Sequence, residues 1–92
     1  MPNAAIKLAW EPNAQAKYKS MISKIPLFHR DIAKIVVDKK AVINAQERGS
    51  SVVEEQDIVN AFFTEVPKAF YSLMIRLFDE VQFDYKHLES RS

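Results

Sequence analysis

The chain has 92 residues, of which 48% are hydrophobic and 27% are charged, and its formal net charge is +1 at neutral pH. These proportions are typical of a folded globular domain and argue against a disordered, collagen-like or generally nucleic-acid-binding chain. The absence of cysteine excludes disulfides, thiolate catalysis and iron–sulfur clusters held by this chain. The longest apolar runs are far shorter than a membrane-spanning helix needs, and no signal-peptide pattern is present, so we expect a cytoplasmic protein.

The chain contains one glycine and four prolines, and each of these breakers is expected to mark a boundary between elements. The first predicted helix covers about 13–24 and has Pro12 at its start, where a missing amide proton costs nothing. Its apolar stripe consists of Ala14, Tyr18, Met21 and Ile22. Trp10 lies just ahead of this helix and is predicted to pack against the stripe.

The segment KIPLFHR at 24–30 interrupts what otherwise reads as one long amphipathic helix. Because proline has no amide proton and disfavours helical geometry in the residue before it, Pro26 ends the first helix and starts a second one at about 27–48. Gly49 is a natural terminator of that helix. The expected buried positions follow helical spacing: Phe28, Ile32, Ile35, Val36, Val42, Ile43 and Ala45.

Two further helices are predicted, at about 54–65 and 67–82. Ser51 and Glu54 have the spacing of a capping box for the third helix, although Val52 and Val53 also suit a short extended segment. Pro67 is expected to open the fourth helix, whose stripe is Phe70, Leu73, Met74, Leu77, Phe78 and Val81. Residues 90–92 are expected to fray. The whole chain, 1–92, is thus predicted to be a single compact all-α domain of about four helices.

No catalytic constellation can be assembled from the sequence. His29 and His87 are far apart and neither belongs to a spaced ligand set, so no metal site is predicted. The serines lie in no nucleophile motif, and adjacent carboxylates such as those at 54–55 and 79–80 point in different directions on a helix. These residues favour a binding or docking module that is not an enzyme and carries no cofactor.

Several residues recur in the order and spacing of a known family: Trp10, Pro12 and Ala14; Lys24, Ile25, Pro26, Phe28 and Arg30; Ala45, Arg48 and Gly49; Asp57, Ile58 and Ala61. This pattern resembles the small C-terminal domain of the B subunit of light-independent protochlorophyllide reductase, a domain that also exists as short stand-alone proteins. The resemblance extends from about Leu8 to Ala61 and leaves the fourth helix as an addition. Val53 stands where the family often has a threonine.

The parent enzyme is a nitrogenase-like reductase that passes electrons through iron–sulfur clusters to protochlorophyllide. Because this chain has no cysteine to hold a cluster, the resemblance implies the pathway and not the activity. It implies an accessory docking module of (bacterio)chlorophyll biosynthesis or of the photosynthetic apparatus, with a nitrogenase-like reductase or a photosynthetic complex as its larger partner. The alternatives are a tetrapyrrole-binding carrier and a small helical nucleic-acid-binding protein.

Two groups of residues are candidates for contact with a partner. His29, Arg30 and Lys34 on the second helix are predicted to form a basic patch for an acidic partner or a tetrapyrrole propionate. Tyr71, Ile75 and Phe83 lie off the stripe of the fourth helix and are predicted to expose apolar surface there. The alternative for both groups is a purely architectural role, with basic side chains lying over apolar surface and the aromatic residues packed in the interior.

Overall fold

A computed structural model describes residues 8–86 of the chain. Within these residues it contains four α-helices and one pair of two-residue strands. The order is β1 (Ala9–Trp10), α1 (Pro12–Lys24), α2 (Leu27–Glu47), β2 (Val52–Val53), α3 (Glu55–Glu65) and α4 (Tyr71–Val81). The prediction of a single all-α domain with four helices is confirmed, and the predicted bounds of the first three helices differ from these by one residue at most.

The two strands pair in parallel, with Ala9 opposite Val52 and Trp10 opposite Val53. The pairing is extended by the Glu11 amide, which donates to the carbonyl oxygen of Val53 at 2.8 Å. Residues 52–53 are therefore the short extended segment that was the alternative to a capping box at Ser51. This pairing ties the start of the chain to the connection between α2 and α3.

The capping box at the start of α3 is formed by Glu54 and Asp57, so the prediction of Ser51 as the cap is wrong. The Asp57 carboxylate accepts a hydrogen bond of 2.8 Å from the Glu54 amide, and the Glu54 side chain accepts one from the Asp57 amide. Because Val52 and Val53 are held in strand pairing, the helix cannot begin as early as a cap at Ser51 requires. Two amides of the first turn are thereby satisfied.

The central packing of the fold is between α2 and α3. On α2 the fully buried residues are Val37, Ala41 and Ala45, and the two alanines let the neighbouring helix approach closely. Three residues of the predicted buried stripe are instead exposed: Phe28, Ile32 and Ile35, with 93%, 66% and 67% of their surface accessible. The prediction placed them in the core because α2 carries apolar residues on two faces, of which α3 covers one.

The fourth helix begins at Tyr71 and not at Pro67 as predicted. Val66 and Pro67 are both extended, and Lys68–Phe70 form one turn of 3-10 helix before α4 starts. The displaced Phe70 is therefore 42% exposed, although the helical spacing predicted its burial. Four residues of the predicted stripe are buried in the structure, as expected: Met74, Leu77, Phe78 and Val81.

The core is centred on the ring of Phe78, which contacts the rings of Phe62, Phe63, Phe83 and Tyr85. Gln82 adopts a left-handed conformation with a φ of 65° and turns the chain back over α4. For this reason Phe83 is buried, with 4% of its surface accessible, and the prediction that it is exposed is wrong. Among residues 8–86 no helix is long and apolar enough to cross a membrane. The predicted frayed tail at 90–92 lies outside the described residues.

Candidate docking surface

The junction between α1 and α2 is built by the KIPLFHR segment. Ile25 and Pro26 are extended, which ends α1 and lets Pro26 occupy the N-cap of α2. Arg30 then reaches back to the end of α1, where its guanidinium donates to the carbonyl oxygens of Ser23 and Ile25 over 3.0–3.2 Å. A cation that binds the last carbonyls of a helix also complements its dipole. Arg30 therefore has a structural role, whether or not it also contacts a partner.

Most of the residues that carry the family resemblance have a role in the fold. Trp10 is half-buried and stacks on the ring of Tyr18, with centroids 5.6 Å apart. Pro12 occupies the first turn of α1, Gly49 ends α2 with a φ of +79°, and Ala14 and Ala61 are fully buried. Phe28 is the exception, because its side chain is almost fully exposed.

Phe28 belongs to an exposed apolar surface on the first half of α2. This surface, called here the α2 face, consists of Leu27, Phe28, Ile32 and Ile35, each with at least 66% of its surface accessible. Phe28, Ile32 and Ile35 are four and three residues apart and therefore line one side of the helix. Isolated apolar residues are common on protein surfaces, but a contiguous group of large ones is typical of an interaction site.

A cavity of about 220 Å³ opens beside the α2 face. It is lined by Ile32, Ala33 and Val36 of α2, by Val66 and Phe70 of the connection between α3 and α4, and by Leu73 of α4. His29 and Glu65 are the titratable residues among those that line it. Ile32 is both part of the α2 face and part of the cavity wall, so the two features form one continuous surface.

The predicted contact residues of α2 lie near this surface but do not form an uncompensated basic patch. His29 is exposed, and its ring lies 5.4 Å from the ring of Phe70 across the cavity mouth. The Lys34 ammonium is paired with Asp38 at 2.8 Å. Arg30 is bonded to backbone carbonyls. Of these three residues, His29 is therefore the one whose side chain lines the cavity. Its contact with a partner remains a prediction.

The predicted contact residues of α4 do not supply the excess apolar surface expected there. Tyr71 is half-buried, and its hydroxyl donates to the carbonyl oxygen of Phe63 at 2.8 Å. Ile75 is half-buried against the core, and Phe83 is buried as described above. The exposed apolar surface thus lies on α2 and on Phe70. The sequence indicates this surface through apolar residues on two faces of α2, because one packed neighbour covers only one of those faces.

Two partly buried polar contacts fix α2 in place. The Tyr18 hydroxyl of α1 donates to the Asp38 carboxylate of α2. Burial raises the pKa of the Tyr18 phenol, and the hydrogen bond to Asp38 raises it further. Directly after the last residue of α2, Arg48 makes two hydrogen bonds to the buried Asp57 carboxylate at 2.7 and 2.9 Å. These bonds to Asp57 raise the pKa of the Arg48 guanidinium above its already high value.

No family model, curated protein sequence or solved structure matches this chain. Among residues 8–86 there is also no group of three His, Asp or Glu side chains placed to hold a metal ion. A function therefore has to be inferred from the chain's own surface, and the α2 face with its cavity is the feature that the fold itself does not explain.

Proposed function

We propose that this chain is a non-catalytic docking module that binds a protein partner through the α2 face and the adjoining cavity. The observation that carries the proposal is the exposure of Phe28, which is 93% accessible within a contiguous apolar surface. Covering apolar surface of this kind is favourable by about 25 cal/mol for each Å² that is removed from water. A partner that covers this face gains that free energy without any change in the fold.

The resemblance of residues 8–61 to a domain of light-independent protochlorophyllide reductase suggests the identity of the larger partner. We propose a cytoplasmic complex of pigment synthesis, with the catalytic component of that reductase as the first candidate. Phe28 supports this choice because it belongs to the resembling pattern and yet contributes little to the fold.

The cavity favours a protein side chain over a tetrapyrrole as the bound group. An apolar cavity of about 150 Å³ is large enough for benzene, so a cavity of about 220 Å³ matches one aromatic or branched side chain. A four-ring macrocycle is several times larger than that. The tetrapyrrole-carrier alternative keeps one supporting observation, which is the exposed imidazole of His29 at the cavity mouth.

The nucleic-acid alternative is weakened by the engagement of basic side chains within the chain. Lys17 is paired with Glu55, Lys24 with Glu80 and Lys34 with Asp38. Binding to phosphates needs cations that are free to replace counterions. A gel-shift assay at increasing salt concentration tests this alternative directly.

The docking proposal is tested with the purified catalytic component of the reductase immobilised on a biosensor. We expect the wild-type chain to bind it, and the double variant Phe28→Ser, Ile32→Ser to bind at least about a hundredfold more weakly, since central apolar contacts dominate interface energies. The fold should be unaffected because both residues are exposed. Lys19→Ser, an exposed position on α1, is the matched control and should bind like the wild type.

Two results contradict the docking proposal: no binding by the wild-type chain, or equal binding by the double variant. A parallel titration with protochlorophyllide addresses the alternative. A saturable absorbance change that His29→Ala abolishes and Phe28→Ser leaves intact would support the tetrapyrrole carrier instead.

A further inference from the structure

The α2 face has the residue spacing with which two helices pack along each other. Phe28, Ile32 and Ile35 follow one another at intervals of four and three residues, which places them along a single seam. On α2 the neighbouring helix α3 covers a different side, the one that contains Ala41 and Ala45. The seam is therefore available to a helix from outside the chain.

Charges at the two ends of this seam are complementary if the second helix runs antiparallel. Asp31 lies near the start of the seam and Lys39 one turn beyond its end, and both are exposed. Within residues 8–86 neither of them makes an ion pair. An antiparallel copy of α2 would bring Asp31 of each chain towards Lys39 of the other, and two-fold symmetry makes this contact twice.

The seam also carries a projecting side chain that a second helix can cover. Phe28 stands out from the seam with 93% of its surface accessible. The pairing of Asp31 with Lys39 places the two-fold axis at Ile35. Phe28 of one copy therefore lies opposite Val42 of the other. A surface whose two ends complement each other in this way is what a two-fold interface requires.

The exposed apolar area supplies more than half of what a stable dimer interface buries. The α2 face and Phe70 comprise five large apolar side chains that are 42% to 93% accessible. Together they expose on the order of 500 Å² per copy. With a polar rim, the surface approaches the roughly 800 Å² per partner that is common for stable interfaces.

We propose that α2 pairs antiparallel with α2 of a second copy of this chain, in a symmetric dimer in which Asp31 of each copy faces Lys39 of the other and Phe28 of each copy is covered by the other helix. The proposal rests on the assignment of the α2 face as a docking surface and names a second copy as its occupant. A larger partner that uses the same face then has to displace one copy.

The test is sedimentation velocity of the full chain from micromolar to hundreds of micromolar concentrations. The wild type is expected to dimerise, and Phe28→Ser to raise the dissociation constant of the dimer at least about a hundredfold. At a concentration where both proteins are monomers, their melting temperatures should be equal. Asp31→Lys and Lys39→Asp are each expected to raise the dissociation constant about tenfold, because two attractive contacts become repulsive. Lys19→Glu, which lies outside the seam, is the control and should have no effect.

The decisive measurement is the recovery of dimerisation by complementary charges. The double variant Asp31→Lys, Lys39→Asp should dimerise within about threefold of the wild type, and an equimolar mixture of the two single variants should form a heterodimer of similar affinity. A parallel pairing places like positions opposite each other, so it predicts no effect of either single reversal and a mixture that pairs more tightly than the wild type.

The dimer is ruled out if the wild type stays monomeric at hundreds of micromolar, or if the charge reversals and Phe28→Ser leave the dissociation constant unchanged. These results are distinguishable from a failure of the proposed function. A monomeric chain that binds the reductase in a Phe28-dependent way overturns the dimer and retains the docking module. A dimer that does not bind the reductase overturns the larger partner and retains the pairing.

Discussion

Tyr18 shows how one side chain connects three parts of the molecule. Its ring stacks on Trp10 and meets the edge of Phe62 of α3, while its hydroxyl donates to Asp38 of α2. The second oxygen of that carboxylate is held by Lys34 at 2.8 Å. The ring was predicted to be buried from its place in the stripe of α1, but its hydrogen-bond partner lies on another helix and could not be read from local spacing.

The raised pKa of Tyr18 predicts a loss of stability at alkaline pH. A tyrosine of the unfolded chain ionises near pH 10, whereas the folded phenol holds its proton to higher pH. The stabilisation is therefore complete below about pH 10 and decreases above it, by about 1.4 kcal/mol per pH unit while the folded phenol stays protonated.

Tyr18→Phe isolates this contribution. Urea unfolding followed by circular dichroism should show the variant less stable by about 1–3 kcal/mol at pH 8, because a hydrogen bond to a carboxylate is lost. The difference between the two proteins should shrink as the pH rises above 10. A difference that stays constant with pH would show that the phenol does not titrate as inferred.

Arg30 illustrates a residue whose position was predicted and whose role was not. The sequence shows a cation shortly after Pro26, and this pattern suited a contact with an acidic partner. The chain reverses direction at Ile25 and Pro26, so the guanidinium lies against carbonyl groups five and seven residues earlier. Such a contact depends on the angle between two helices, which residue spacing does not specify.

At the scale of the elements, the boundaries were predictable wherever a backbone constraint sits at the helix end. Pro12, Pro26 and Gly49 each stand at or next to the end of a helix, as their geometry requires. The predicted start of α4 at Pro67 is wrong because a proline marks the end of one helix but does not specify how many residues later the next helix begins. The intervening 3-10 turn at Lys68–Phe70 has no signal of its own in the residue spacing.

The connection between α2 and α3 is held by an ion pair that spacing alone did not reveal. The side chain of Asp57 is 2% accessible and receives both hydrogen bonds of the Arg48 guanidinium. Asp57 also caps α3 through the Glu54 amide. One buried carboxylate thereby joins the end of one helix to the start of the next.

Arg48→Met should destabilise the protein by about 2–3 kcal/mol, because it leaves the buried carboxylate of Asp57 without its cation. Urea unfolding measures this loss of free energy. Arg76→Met, at an exposed position on α4, is the matched control and should change the stability by no more than about 0.5 kcal/mol. A small effect of Arg48→Met would show that the pair adds little beyond the capping box.

At the scale of the whole molecule, composition and breaker residues sufficed to predict four helices in one domain. They did not predict which of the two apolar faces of α2 lies inside. That choice depends on the small side chains of Ala41 and Ala45, which admit α3 and leave Phe28, Ile32 and Ile35 outside. The candidate site therefore consists of residues that helical spacing alone predicts to be buried.

The parallel pairing of Ala9 with Val52 joins opposite halves of the chain, and this has a consequence for the order of folding. Closing a long loop costs more entropy than closing a short one, so contacts between distant residues tend to form late. We expect α2 and α3 to associate early in refolding and the segment around Trp10 to dock afterwards. Trp10 is the single tryptophan of the chain, so in a stopped-flow experiment its fluorescence should change more slowly than the far-ultraviolet circular dichroism. Identical rates for the two signals would indicate that the strand pair forms together with the helices.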